Sequence, residues 1–485
     1  MKTSTISLKR VLEDSISKRI DAEFFSPEYI KSLNMVKNKQ YDKIGNIVSV
    51  LTDYHANGSY EILKDNVKMY DEPNYALMIR TIDFENNDFT KDVKYIDKHA
   101  YTFLRKTQMH GGEVIINKIG NAGRVYLMPI LNRPVSLGMN IFMLRFKEGY
   151  NASFIFTYLN TTYGKNLIKR RITGAVPLSI DKDSVREVIV PILNNEFQNK
   201  IANIVHNSQL KNIDFKSTYI KIYFILNNNL GLNNFKPCHQ LTFKKKLSDI
   251  NLANRFDAEY FQPKYDEIIE KIKSYSNGWD KLSNIIQAPK KGIEVGSEEY
   301  CEQGIPFVRV SNLSQHEINN NNMQYISEEH YNSIANAYQP KKGEILLSKD
   351  GTPGIAYYLS ETPQKMISSG GILRLIVNNK EYLPEYLTFV LNSIVVQMQV
   401  ERVSSGALIK HWLVDEIQNT LIPKLEMNKQ IEIVEQLKEA TKLRKQSKQL
   451  LEIAKRGVEI AIEENEDMAT EWINEQLLKL AINLN

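Results

Sequence analysis

The chain has 485 residues, 42% hydrophobic and 25% charged, with a formal net charge of +5. That length exceeds what one hydrophobic core organises, so two to four domains are expected, and the composition is that of a soluble globular protein. A net charge this small does not point to nucleic acid by itself, so its distribution along the chain has to be read.

The N-terminal segment, 1–39, opens MKTSTISLKRVLEDS, with charges where a secretory signal needs an apolar core, so a cytoplasmic location is expected. It then carries RIDAEFFSPEYI from Arg19. Residues 40–193 form a mixed segment with strand-like runs such as EVIIN, glycine turns and a helical patch at FIFTYLN. Residues 194–235 read as a long helix entered after Pro191. Its most apolar stretch, Ile220 to Leu226, contains Lys221 and falls far short of the ~20 apolar residues of a membrane span. The segment 236–279 carries RFDAEYFQPKYD from Arg255, 280–425 repeats the mixed pattern with EILLS and YLTFVLN, and 426–485 closes with another long helix. The two cysteines, Cys238 and Cys301, have no metal-type spacing and fit a reducing compartment.

Residues 101–250 hold 21 Lys+Arg against 8 Asp+Glu; residues 1–250 carry +12 and residues 251–485 carry −7. A basic region in a balanced chain fits a polyanion partner, with uneven solvated charge as the plain alternative.

An internal repeat organises the whole chain. RIDAEFFSPEYI and RFDAEYFQPKYD are offset by 236 residues, and GGEVIINKIGNAG (111–123) and KGEILLSKDGTPG (342–354) by 231. The pairs Gly174 and Gly406, Pro191 and Pro423, and Gln198 and Gln430 are each offset by 232. A drift of five residues means short loop insertions within one duplicated fold.

The closing helices repeat in register as well. Ile201, Val205, Ser208, Asn212, Phe215, Tyr219, Ile222 and Leu226 recur at steps of four and three. So do Ile433, Leu437, Ala440, Arg444, Ser447, Leu451, Ala454 and Val458, each 232 residues further on. One stripe per helix suits an antiparallel helix pair, with a generic core-facing helix as the alternative. Asn212 and Arg444 place polar groups at the same layer of the seam, where they can fix register at some cost in stability. The expected fold is α+β: two similar mixed α/β target-recognition domains separated by two long antiparallel helices, a pseudo-twofold internal repeat. Residues 201–226 would span roughly 39 Å, close to the ~34–36 Å after which B-DNA presents the same face.

The ordered motifs PFVRVSNL (306–313), GEILLSKDGTPG (343–354), SSG (404–406) and LIPKLEMNKQ, ending at Gln430, have counterparts in the first repeat. These are ALMIRTIDF (76–84), GEVIINKIGNAG (112–123), TGAVPL (173–178) and VPILNNEFQ, ending at Gln198. In both repeats the chain resembles the specificity subunits of type I restriction-modification systems. It departs from their pattern where Phe197 and Lys429 replace a glutamate before the glutamine. The resemblance implies that each recognition domain reads one half of a split double-stranded DNA site. It further implies that the helices act as a spacer and dock methyltransferase subunits, expected as two copies. Those partners would bind S-adenosylmethionine and methylate adenine, and restriction/translocase subunits would join to cleave. No membrane partner is implied, and this chain would hold no cofactor or metal and perform no catalysis.

The residues agree with a non-catalytic reader. There is no Asn/Asp-Pro-Pro-aromatic motif and no phosphate-cradling loop ending in Lys-Ser/Thr. GNAGR (120–124) and DGTPG (350–354) read as turns between strands. The pairs Asp21/Glu23 and Asp257/Glu259 read as structural or subunit-docking carboxylates rather than a glycosidase pair. Candidate DNA contacts are cations at matched positions: Arg80 and Arg309 on the equivalent strand, Lys118 and Lys349 before the glycine turns, Arg170 and Arg402 before the Gly174 and Gly406 loops. Arg124, Arg171 and Lys410 join them. The competing reading of Arg80 and Arg309 is pairing with a core carboxylate; His411 and Trp412 would stack on a base or simply pack. Other readings stay open: a restriction enzyme or methyltransferase acting alone, which the missing catalytic motifs oppose, a duplicated scaffold that binds proteins only, and a specificity subunit of a type IIB or other multisubunit system.

Overall fold

A computed structural model describes residues 5–14, 19–404, 410–482 and 484. Ser405 and Gly406, half of the second expected Ser-Gly loop, lie outside the described residues. The chain divides into two units, residues 1–213 with 444–485, and residues 214–443. The division passes within the two long helices, Asn195–Asn229 and Met427–Glu463, so each unit contains a stretch of both.

In the first unit β1 (Tyr41–Lys43) pairs antiparallel with β10 (Ile189–Pro191), tying the start of the mixed segment to its end. Between them lie β2 (Val48–Asp53), β3 (Ala76–Ile79), β4 (Lys94–Ile96), β5 (Gln108–Met109), β6 (Val114–Asn117), β7 (Val125–Leu127), β8 (Val135–Leu137) and β9 (Ile141–Phe146). They form two sheets, in the orders β2-β9-β6-β7 and β4-β3-β8-β5. The continuous apolar run of β6 follows from burial on both faces. Val114 and Ile116 join a core with Phe142, Leu144 and the helix Ala152–Leu159, while Ile115 points the other way into a core with Leu77 and Met143. Alternate residues of a strand face opposite sides, so a strand buried on both sides shows no polar alternation.

The second unit repeats this plan. Here β11 (Trp279–Lys281) pairs with β21 (Leu421–Pro423), enclosing β12 (Lys290–Lys291), β13 (Ile305–Val308), β14 (Gln324–Ile326), β15 (Ile345–Ser348), β16 (Asp350–Gly351), β17 (Ala356–Tyr358), β18 (Ile367–Ser368), β19 (Ile372–Leu375) and β20 (Lys410–His411). The order β12-β19-β15-β17 matches β2-β9-β6-β7 strand for strand, β14-β13-β18 matches β4-β3-β8 with no counterpart of β5 among the described residues, and β16 pairs with β20. In β15, Ile345 and Leu347 face one core and Leu346 the other. Even single bonds recur. The buried Tyr158 hydroxyl donates to the Ile189 carbonyl at 2.8 Å, and the buried Tyr386 hydroxyl to the Pro423 carbonyl at 2.8 Å. Burial pushes both phenols far above the ordinary tyrosine range.

The long helices begin alike. Gln198 donates from Nε2 to the Leu193 carbonyl, and Gln430 from Nε2 to the Leu425 carbonyl, both at 2.8 Å. The two departures from the family pattern take different environments: Phe197 is buried in the core, whereas Lys429 is half-buried and pairs with Glu432. Within the first unit Ile201, Val205, Ala454 and Val458 are buried. There Ser208 Oγ donates to the Ser447 carbonyl at 2.8 Å, and Ser447 Oγ donates to the Ser208 carbonyl at 2.9 Å. Ile201 lies beside Gly457, so within this unit position rises along one helix as it falls along the other, an antiparallel pairing. Asn212, Arg444 and Leu451 are half-buried. Within the second unit Phe215, Ile222, Leu226, Ile433 and Ala440 are buried, and Tyr219 and Leu437 half-buried. The Phe215 and Tyr219 rings pack edge-on against His316, with centroids 5.2 and 4.8 Å away.

The N-terminal helix Pro27–Lys37 packs Leu33 and Val36 into the core that holds Ala461 and Ile462 of the second long helix. No helix among the described residues is long and apolar enough to cross a membrane.

Candidate nucleic-acid interface

Arg80, Lys118, Arg309 and Lys349 stand at strand ends, whereas Arg170 and Arg402 stand at the ends of the helices Thr162–Lys169 and Ile394–Val403. Arg80 follows β3 and starts a short helix, Thr81–Glu85. The nearly buried Asp83 carboxylate accepts the Arg80 backbone N–H at 2.7 Å and also takes the guanidinium, Nη2 to Oδ1 at 2.7 Å and Nε to Oδ2 at 3.3 Å. Arg80 Nη2 donates in addition to the Asp92 carbonyl at 2.5 Å. Arg309 follows β13 in the same way, but the residue three further on is Asn312. Asn312 Oδ1 accepts the Arg309 backbone N–H at 3.1 Å, while its amide nitrogen donates to the carbonyls of Asn319 and Asn321. Arg309 Nη2 donates to the Asn322 carbonyl at 2.7 Å. The core-carboxylate reading therefore describes Arg80 and not Arg309.

Lys118 and Lys349 leave the ends of β6 and β15. Lys118 Nζ lies 3.2 Å from Asp53 Oδ2, and Lys182 Nζ lies 2.9 Å from Asp53 Oδ1. Burial alone would raise the Asp53 carboxyl; bonds from the two lysines outweigh it and hold it below the ordinary range. Lys349 Nζ reaches Asp350 Oδ2 at 2.5 Å, and His411 Nδ1 reaches Asp350 Oδ1 at 2.7 Å. Asp350 is held low in the same manner, burial opposing and Lys349 and His411 prevailing. His411 is exposed on this pair, whereas Trp412 is buried in the second unit's core, so Trp412 packs. The glycine turns beyond the lysines use left-handed backbone: Gly120 and Gly123 at φ +82° and +79°, Gly351 and Gly354 at +71° and +93°. At Gly123 a Cβ would also lie 2.5 Å from Ile168 Cγ2, so that turn admits no side chain.

Arg124 is the most open of the first unit's charged candidates, its side chain 51% exposed with Glu85 at 3.9 Å. Arg171 is half-buried and donates to the Glu187 carbonyl at 3.0 Å. Lys410 is exposed in β20, opposite Gly351.

Arg170 and Arg402 need correction. Arg170 is only 2% exposed. Its Nε donates to the Phe24 carbonyl at 2.8 Å, and its guanidinium stacks 3.9 Å from the Phe24 ring centre. Arg19 packs on the same ring at 4.9 Å, ion-paired with Asp21 at 2.7 Å. The second unit repeats the sandwich, with Arg255 and Arg402 at 4.6 and 4.7 Å from the Tyr260 ring, Arg255 on Asp257 at 2.8 Å and Arg402 on Asp266 at 3.0 Å. Two guanidiniums beside one aromatic ring are tolerated because carboxylates and carbonyls accept their hydrogen bonds and offset their charge. The duplicated Arg-x-Asp-Ala-Glu-aromatic motif is thus a fastening that ties the segment before each mixed domain to that domain, and Arg170 is not a surface cation. The bond from Arg19 lowers the Asp21 carboxyl, and the bond from Arg255 lowers that of Asp257.

Sequence reading passed over Asp53, Lys182, Phe24, Tyr260 and the contrast of Asp83 with Asn312. Two of these left a signal in the sequence: Phe24 and Tyr260 share the offset of 236 that relates Arg19 to Arg255, and Asp83 and Asn312 share the offset of 229 that relates Arg80 to Arg309. Among the described residues no group of three or more His, Cys, Asp or Glu could hold a metal ion.

No protein-family model matches the chain, and no curated protein matches it either. Solved structures do. The type I restriction-modification S subunit from M. genitalium aligns over 90% of this chain and 96% of its own, at 13% identity and a TM-score of 0.37. The HsdS subunit from Thermoanaerobacter tengcongensis aligns over 90% and 96%, at 13% identity and a TM-score of 0.25. A structure described for complex assembly and conformational transition of a type I system aligns over 92% and 98%, at 13% identity and a TM-score of 0.26.

Proposed function

We propose that this chain is the DNA-specificity subunit of a type I restriction-modification system, a non-catalytic reader whose two units each recognise one half of a split double-stranded site. The observation that carries this is the duplication itself. Sequence motifs, sheet orders and the arginine–aromatic fastening recur in both units, while loop cations stand at matched positions beyond the strand ends. One fold used twice suits a ligand that presents comparable features at two places, as a duplex does.

Cations in such loops neutralise phosphates, and residues around them read base edges. Lys118, Arg124, Arg171, Lys349 and Lys410 take the phosphate role in this reading. The partners are two copies of a methyltransferase subunit, which bring S-adenosylmethionine, together with restriction/translocase subunits; the assembly works in the cytoplasm. Twofold docking is supported by a repeated apolar position just before each fastening aspartate: Ile20 is 81% exposed and Phe256 80%. A large apolar side chain left in water at both equivalent points fits one kind of partner bound twice.

The test is methylation mapping. Cells carrying the chain with its partner subunits are expected to show adenine methylation at a bipartite motif, and deletion of the chain to abolish it. The purified chain alone is expected to transfer no methyl group; transfer by the chain alone would overturn the assignment.

A further inference from the structure

The second unit has an open cavity of about 310 Å³ whose lining includes Glu294, Tyr300, Phe307, Arg309, Asp350 and Gly351. Three observations mark it as a ligand site. First, Arg309 is held at one corner only. Its Nη2 donates to the Asn322 carbonyl, and its Nε is buried without a hydrogen-bond partner. Second, Glu294 has no ion pair or hydrogen bond among the described residues and is exposed, its carboxylate lying over Gly370, where a Cβ would come within 2.0 Å of Oε1. Third, the neighbouring carboxylate, Asp350, is already saturated by Lys349 and His411. The cavity thus offers one guanidinium and one uncommitted carboxylate beside an aromatic wall, the Tyr300 and Phe307 rings standing 5.7 Å apart.

At the equivalent point of the first unit the arginine is engaged. There Asp83 takes two nitrogens of the Arg80 guanidinium, a fork-to-fork pairing that leaves it little to offer a ligand. Asn312 stands where Asp83 would be. It keeps the backbone bond that starts the turn but carries no charge, and its amide is spent on two loop carbonyls. A single Asp-to-Asn difference between the repeats therefore decides whether the strand arginine is locked or available.

Ligand chemistry follows from the pair of groups. A phosphate would suit Arg309 but be repelled by Glu294. The major-groove edge of a G·C pair carries both complements, with the O6 and N7 acceptors on guanine for an arginine and the N4 amino group on cytosine for a carboxylate. We propose that the cavity of the second unit reads a G·C base pair, Arg309 contacting the guanine and Glu294 the cytosine, and that the first unit's Arg80 does no such reading. This rests on the specificity-subunit assignment.

The experiment uses the full chain, tagged and purified with its partners from its native cells, and a pool of randomised DNA duplexes, with the bound fraction sequenced. The wild type is expected to enrich a bipartite sequence with a G·C pair in one half-site. R309K keeps the charge but loses the fork, and E294Q loses the carboxylate. Each is expected to lower the preference at that one pair by on the order of tenfold to a hundredfold and leave the other positions intact. N312D, which supplies a locking carboxylate, should do the same. Because it also breaks two loop bonds, it is scored only if its melting curve matches the wild type, and R309K and E294Q carry the test regardless. Full preference in R309K, or an equal loss on all sequences as a phosphate contact would give, overturns the proposal while leaving the subunit assignment standing. A wild type that enriches no bipartite sequence overturns the assignment, and the proposal falls with it.

Discussion

Arg80 and Arg309 leave equivalent strands, cap equivalent turns and each donate to a loop carbonyl, yet one guanidinium is locked by a carboxylate and the other is not. Arg170 and Arg402 show the opposite behaviour, since both sit on an aromatic ring shared with a second arginine, although Phe24 has become Tyr260. Duplication has preserved the contacts that fasten the segment before each mixed domain to that domain. It has let the charges at the strand ends diverge, through neighbours three residues away. Matched position predicts a shared role where the contact is internal and fails where the side chain faces solvent.

The sharpest way to break this comparison is to remove the fastening. Arg170→Ala takes away a buried cation, strands the Phe24 carbonyl and opens a void against two rings, so a loss of roughly 2–4 kcal/mol is expected. Arg402→Ala should cost less, about 1–2 kcal/mol, because its side chain is 20% exposed and its carboxylate partner Asp266 keeps a bond from Lys245. Urea denaturation read on each variant checks this. If Arg170→Ala left stability unchanged but lowered DNA binding, the arginine would be a DNA contact after all.

A smaller and equal effect is expected from the twin tyrosines. Tyr158→Phe and Tyr386→Phe each remove one buried hydroxyl that donates to a carbonyl at 2.8 Å. Each should cost about 1 kcal/mol, somewhat more if the orphaned carbonyl finds no water. Thermal unfolding of both variants tests the equivalence; a difference of more than about twofold between them would show that the two frameworks are not interchangeable.

How much of this was readable in advance depends on the range of each interaction. The repeat, the strands VIIN and ILLS, and the two long helices follow from local pattern, where period and spacing carry the information. Gln198 and Gln430 were visible as matched positions, and their shared bond to a carbonyl five residues back explains the match. Arg170 was misread because its partner, Phe24, lies 146 residues away, and an arginine before a glycine loop looks solvated in sequence. The Asp53 cluster joins Lys118 and Lys182 from separate segments and has no sequence signature. Glu294 belongs to a loop whose meaning appears only once Gly370 and Arg309 are beside it in space.

The smallest effect concerns acid. Asp53 in the first unit and Asp350 in the second are each held below the ordinary value of 3.8 by two internal cations. A carboxyl whose folded value is lowered stabilises the fold above its unfolded value, and that contribution is lost as pH falls through 3.8 toward the lowered folded value. Each unit should therefore lose a little stability between about pH 5 and pH 3, on the order of 1 kcal/mol or less because the lysines on Asp53 are 30% and 33% exposed. Asp53→Asn should flatten the first unit's share of that slope and Asp350→Asn the second's, read as melting temperature against pH. The two clusters differ in one respect that sharpens the comparison: Asp53 is clamped by two lysines, whereas Asp350 is clamped by Lys349 and the exposed His411. H411Q should therefore cost the second unit no more than about 1 kcal/mol, and an H411Q variant with the melting temperature of the wild type would show that the histidine contributes nothing to the cluster.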